Sequence, residues 1–135
     1  MRMLGRSSIA FLLLVLLDGC SLSPDQKVGR EVALKQAMES FISTVVQADW
    51  NGVYKMSDGS FDSANNLKSN LTKTWVPDAT LNGGEITSLA WINDSTSKVK
   101  LNWSFQAGSV QSFSSETYVW VWDGDAWKYK GRTIR

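Results

Sequence analysis

Apolar positions along the chain follow three rhythms. Ile9 to Leu17 is unbroken apolar sequence, Ile9-Ala10-Phe11-Leu12-Leu13-Leu14-Val15-Leu16-Leu17. That length suits the core of a secretory signal and is well short of the roughly 20 residues a membrane-spanning helix needs. Further on, Leu34, Met38, Phe41, Val45 and Ala48 recur every three or four residues, with Ala37 and Ile42 widening the stripe. Lys35, Gln36, Glu39, Ser40 and Gln47 fall mostly on the other side. The spacing predicts an amphipathic helix over Pro24–Ala48, with one weak point at Gly29. From residue 79 the period drops to two: Val99, Leu101, Trp103 and Phe105 alternate with Lys98, Lys100, Asn102 and Ser104. This is a half-buried strand with one wet face.

Punctuation divides these rhythms into elements. Ser23-Pro24-Asp25-Gln26 has the form of a capping box followed by a first-turn proline and an acid at the positive helix end. Asp49 can cap a short helix from Trp50 to Met56, and Asp58-Gly59-Ser60 breaks it. Ser63 to Trp75 reads as a third helix, with Leu67, Leu71 and Trp75 at four-residue spacing and Pro77 beyond its end. Asn82-Gly83-Gly84 reads as a turn, Ile86–Ile92 as a strand and Asn93–Ser97 as a polar hairpin loop. Thr117–Trp122 is apolar on both faces, as a central strand should be; Asp123-Gly124 then turns the chain into a last strand where Trp127 and Tyr129 alternate with Lys128 and Lys130. Helices followed by an antiparallel meander predict an α+β fold: N-terminal helices, one of them long, on a curved antiparallel sheet of about four strands. The expected organisation is a signal at 1–19, a short tether at 20–23 and one domain over 24–135.

Composition narrows the chemistry. Without residues 1–19 the chain keeps 12 basic and 12 acidic side chains, a balance that argues against nucleic acid as a partner. Histidine is absent, which removes serine–histidine and cysteine–histidine catalysis and the usual zinc ligand sets. Only carboxylate chemistry is left to an enzyme, and no cofactor or metal site is expected. Asp94, Asp123 and Asp125 sit in turns without the alternating ligand spacing of a calcium loop. Seven tryptophans stand out, all beyond residue 49, fit for either a core or a stacking surface.

Cys20 is the one cysteine, placed where the apolar run stops, behind Arg2 and Arg6 and within Leu17-Asp18-Gly19-Cys20. This segment resembles the lipobox of bacterial lipoproteins, with Leu17 and Gly19 in pattern and Asp18 out of it, since that position is usually small and uncharged. The resemblance implies cleavage before Cys20, a thioether-linked diacylglycerol on its sulfur and an N-acyl chain such as palmitate. Several chains give stable anchoring where one does not. Ser21, in place of an aspartate, resembles an outer-membrane sorting signal. The expected location is therefore the periplasmic face of a bacterial outer membrane, with Cys20 as the lipid attachment.

Phe41-Ile42-Ser43-Thr44-Val45-Val46-Gln47-Ala48-Asp49-Trp50-Asn51-Gly52-Val53-Tyr54 resembles the opening of the nuclear transport factor 2-like superfamily, and Tyr118–Lys128 resembles its final hairpin. The resemblance spans most of residues 24–135 and implies a curved sheet wrapped on the long helix as a cone whose mouth often holds a ligand. The superfamily's usual first hairpin is missing: residues 57–78 look helical or irregular. In its isomerases a tyrosine precedes the helix-ending aspartate by about two turns, where this chain has Phe41; the base falls near Asn65 or Asn66, which cannot take a proton. Glu116 is the remaining candidate carboxylate, and its plainer reading is a strand-end charge in solvent.

Three functions follow in order: a non-catalytic interaction or assembly module of the envelope, an apolar-ligand binder, and an enzyme last. The first would use the exposed sheet face with Lys98, Lys100, Lys128, Lys130 and Arg132. The second would use a pocket lined by Phe41, Trp103, Glu116, Tyr118, Trp120 and Trp127; ordinary core filling is the competing use of those rings.

Overall fold

Ser23 starts the first helix. Its hydroxyl oxygen accepts the Gln26 amide at 3.1 Å, while the Gln26 side chain accepts the Ser23 amide at 2.9 Å, and Pro24 occupies the first turn. The computed structural model describes residues 22–133. The expected signal 1–19, Cys20 and Ser21 lie outside the described residues. Helix α1 spans Pro24–Val46 and buries the predicted stripe: Leu34, Met38 and Phe41 completely, Val45 almost so. Ala48 does not join it. With φ at 59°, Ala48 is left-handed and redirects the chain, which is why α1 stops two residues short of the expected end.

Asp49 then caps α2 (Trp50–Lys55) by accepting the Gly52 amide at 3.1 Å, and Ser63 caps α3 (Ala64–Thr72) by accepting the Asn66 amide at 3.1 Å. Val53, Leu67 and Leu71 are their buried positions. Trp75, expected as the last member of the third helix, lies beyond it, yet its ring still packs on Trp103 and Phe105 at 5.7 and 5.5 Å.

Strands β1 (Thr80–Asn93), β2 (Thr96–Ala107), β3 (Val110–Trp122) and β4 (Trp127–Arg132) form one antiparallel sheet in the order β1-β2-β3-β4. Helices, one of them long, packed on an open four-stranded antiparallel sheet make the α+β class expected from the sequence. Two expectations are corrected. Asn82-Gly83-Gly84 is not a turn but part of β1: Gly83 pairs with Ser104 and Gly84 with Trp103, and Asn82 stands at a register shift. Gly84 serves close packing there: a Cβ would stand 2.8 Å from Trp103 Cε3 and 3.5 Å from Ile42 Cγ2. The β1–β2 loop is also shorter than expected, because Thr96 and Ser97 already belong to β2. Residues 106–116, unassigned from the sequence, form a hairpin that turns at Gly108, whose φ is 64°.

The inner face of the sheet presents Val99, Leu101, Trp103, Phe105, Tyr118, Trp120, Trp127 and Tyr129 to the α1 stripe, and all are buried. The outer edge of β4 is covered where the Tyr129 amide donates to Met56 at 2.8 Å and the Asp58 amide donates to Tyr129 at 3.0 Å. The β1 edge carries three register shifts, which bend a strand and make it a poor template for pairing. No helix of the described residues is long and apolar enough to cross a membrane.

Candidate functional site

The ring positions singled out from the sequence come together as a filled interior. Phe41 meets Tyr129 at 4.9 Å, Trp120 at 5.3 Å, Tyr118 at 6.1 Å and Trp103 at 6.4 Å between ring centroids, mostly in tilted or edge-on contact. Phe41, Trp103, Tyr118 and Trp120 have no exposed surface and Trp127 is 5% exposed. The Trp103 indole N–H donates to the Tyr118 hydroxyl. Burial, more than any other influence, pushes the Tyr118 and Tyr129 hydroxyls far above the ordinary tyrosine value, so both stay neutral. The Tyr129 hydroxyl and the Trp120 indole N–H are buried without a hydrogen-bond partner among the described residues.

Glu116 stands apart from this set. It shares the inner face with Tyr118 and Trp120 but sits at the rim, its side chain 15% exposed, accepting the Thr74 hydroxyl and facing Arg132 Nη1 at 3.4 Å. Arg132 reaches it because of a bulge. Trp120 pairs with Tyr129, whereas Val119 pairs with Gly131, so Lys130 is an extra residue that reverses the alternation of β4. Gly131 accommodates the bulge with φ at 142°, a conformation L side chains rarely adopt. Arg132 therefore pairs with Tyr118 and turns inward, its side chain 13% exposed, instead of joining the solvated lysine face to which the sequence pattern assigned it. Lys98, Lys100 and Lys130 do stay exposed, Lys130 near Asp58 at 3.7 Å, and Lys128 is half-buried.

Around the Glu116–Arg132 pair opens a cleft of about 510 Å³ between the C-terminal end of α3 and the edge of β3. Lys73, Lys100 and Arg132 line it with Glu116; hydroxyls come from Thr74, Ser115, Thr117 and Thr133, and an amide from Asn70. The Thr117 carbonyl accepts the Thr133 amide at 2.9 Å, so the β3 backbone faces this side at Thr117 and again at Ser115, beyond the last β3–β4 pair at Tyr118. Glu116 is visible in the sequence but its setting is not, because the loop Lys73-Thr74 is far away in sequence and the bulge that turns Arg132 is a register effect.

The other organised surface lies where the chain enters the domain. The Leu22 amide donates to Asp94 Oδ2 at 3.2 Å, and Arg30 Nη1 donates to the Asp94 carbonyl at 2.9 Å while its guanidinium lies 4.8 Å from the Trp122 ring centre. The Trp127 indole donates to the Arg30 carbonyl at 2.8 Å, and the Trp91 indole to Glu31 at 3.1 Å. The start of α1 is thereby clamped onto the β1–β2 tip. In the adjoining β3–β4 turn, the Ala126 and Asp125 amides donate to Asp123 and hold its carboxyl below the usual carboxylate range.

Among the described residues no three His, Cys, Asp or Glu side chains gather as metal ligands. No protein-family model matches the chain, and no curated protein matches its sequence.

Proposed function

We propose that this is a lipid-anchored protein of a bacterial envelope, a nuclear transport factor 2-like domain carried on Cys20 at the periplasmic face of the outer membrane, acting as a non-catalytic interaction or assembly module. The observation carrying this reading is the clamp on Leu22. Leu22 lies two positions beyond Cys20, with Ser21 between them, a reach of about 7 Å when extended. An acylated Cys20 would thus hold the β1–β2 tip beside the bilayer and present the rest of the domain in a restricted orientation, as a stationary docking module requires. The filled interior supports binding outside the cone over an apolar ligand within it. An isomerase-like role finds little support: Phe41 has no hydroxyl to donate, Asn65 and Asn66 are exposed on α3, and Glu116 is held by Thr74 and Arg132.

Mass spectrometry of the mature N-terminal peptide, together with affinity purification of the full chain from detergent-solubilised envelopes, tests both halves. The expected result is a diacylglycerol-modified Cys20 and a stoichiometric envelope protein retained on the domain. An unmodified cysteine overturns the anchor; a clean monomer from cross-linked envelopes overturns the module.

A further inference from the structure

We propose that the cleft beside Glu116 binds a hydroxylated anion of sugar size, receiving its carboxylate or phosphate on Lys73 and Lys100. The inference goes beyond the anchoring role and does not depend on it.

Three cations and one carboxylate line the cleft, an excess of two positive charges in a protein otherwise near neutrality. The described residues contain two ion pairs, Lys130–Asp58 and Arg132–Glu116. The second offsets Glu116 and Arg132 within the cleft wall, leaving the charges of Lys73 and Lys100 for a ligand. Lys73 also closes α3 as its C-cap, where a cation is favoured by the helix dipole, and its ammonium still has three donors to give.

Charge alone would suit any small anion. The rest of the lining selects further. The Thr74, Ser115 and Thr133 hydroxyls give their protons to Glu116, Asn102 and the Thr117 carbonyl, so they offer oxygens that accept, as Glu116 does, while the Thr117 hydroxyl can still donate. A ligand filling this space must donate as well as accept, as sugar hydroxyls do. Because the Glu116 charge is already offset by Arg132, it selects neutral hydroxyl donors over a second cation, and the uncompensated charges of Lys73 and Lys100 draw the anionic end to their side. The volume of about 510 Å³ lies within the usual range for small-molecule sites. A second cavity of about 340 Å³, along α1 and lined by Glu39, Ile42, Val46 and Gly84 among others, has only Glu39 as a charged group and no comparable selectivity.

Isothermal titration of the full chain in non-ionic detergent tests the proposal, with glucose 6-phosphate, glucuronate, glucose and inorganic phosphate as probes. Glucose 6-phosphate or glucuronate should bind saturably, with glucose and inorganic phosphate each at least about tenfold weaker. The tighter of the two sugar anions identifies phosphate or carboxylate as the anionic group, and either preference supports the site. Lys73→Ala and Lys100→Ala should each weaken binding about five- to tenfold, Lys100→Ala without moving the thermal midpoint and Lys73→Ala with only the small drop that losing a cation at the α3 C-cap brings, and added salt should weaken binding further. Absence of saturable heat with both sugar anions, equal binding of glucose or inorganic phosphate, or unchanged affinity in both lysine variants would overturn it. None of these outcomes bears on whether Cys20 is acylated.

Discussion

Two regions on the inner face of the same sheet have opposite characters. Around Phe41, four aromatic rings close in and leave no exposed surface. One strand pair farther along the same inner face, Glu116 and Arg132 face a polar cleft. The difference comes from the ends of elements. Where α1 overlies the sheet, every inward position is filled by a side chain from above. Where β4 ends and α3 gives way to the loop at Lys73-Thr74, the inner face runs past its cover, and charge becomes tolerable there because it is only partly desolvated. A site in this fold is thus set by where the cover stops, more than by where the aromatics concentrate.

The comparison can be broken first with alkali. Tyr118 and Tyr129 keep their protons in the folded protein well above the ordinary tyrosine value of about 10. Above that pH the unfolded chain loses protons that the folded protein keeps. The unfolded state then binds fewer protons, and stability falls as pH rises. Below about pH 10 their contribution is fully present; above it, denaturant melts should show a loss approaching 2.7 kcal/mol per pH unit for the two groups together, continuing toward their raised folded values. A flat profile from pH 10 to 11 would mean that the interior admits water.

Truncating the interior comes next. Trp103→Ala should cost about 3–5 kcal/mol, read as a shift of the urea midpoint at constant slope. Gly131→Ala should cost about 1–3 kcal/mol through backbone strain at φ 142°, since its nearest new contact, Phe61 Cζ at 3.6 Å, is ordinary. It should also displace Arg132 from Glu116, which a crystal structure of the variant would show. Glu116→Gln should cost least, about 1 kcal/mol, because the pair lies at the rim with a 3.4 Å contact. A loss of several kcal/mol there would make Glu116 part of the core and erase the contrast between the regions.

How much of this was legible follows from how local each signal is. The α1 stripe was, because a 3.6-residue period and a capping box are complete within one segment, and the structure buries Leu34, Met38, Phe41 and Val45 as the period demands. The alternation of β2 was legible for the same reason. Gly83-Gly84 misled because two adjacent glycines are the usual mark of a turn, whereas here Gly84 makes room for the Trp103 ring, a requirement imposed from the neighbouring strand. Arg132 misled in the opposite way: Lys128, Lys130 and Arg132 keep a two-residue period in sequence, and the extra residue at Lys130 breaks it in space. The five aromatic pocket candidates were recognisable as inward-facing, and Glu116 as sharing the face of Tyr118 and Trp120 at the strand end. Whether they enclosed a space or filled it depended on ring-to-ring distances that no sequence pattern carries. The cleft itself was illegible, since it joins Lys73 and Thr74 to residues 100, 116 and 132.

The central claim is that the interior is closed and that binding takes place outside it. Xenon titration followed by methyl NMR tests this most directly, because xenon enters dry apolar cavities without needing any specific contact. The methyl signals of Leu34, Met38, Val99 and Leu101, buried in the same core as Phe41, should show no saturable shift. Saturable shifts at those methyls would reveal a hollow interior and return Phe41, Trp103, Tyr118, Trp120 and Trp127 to the wall of a binding pocket.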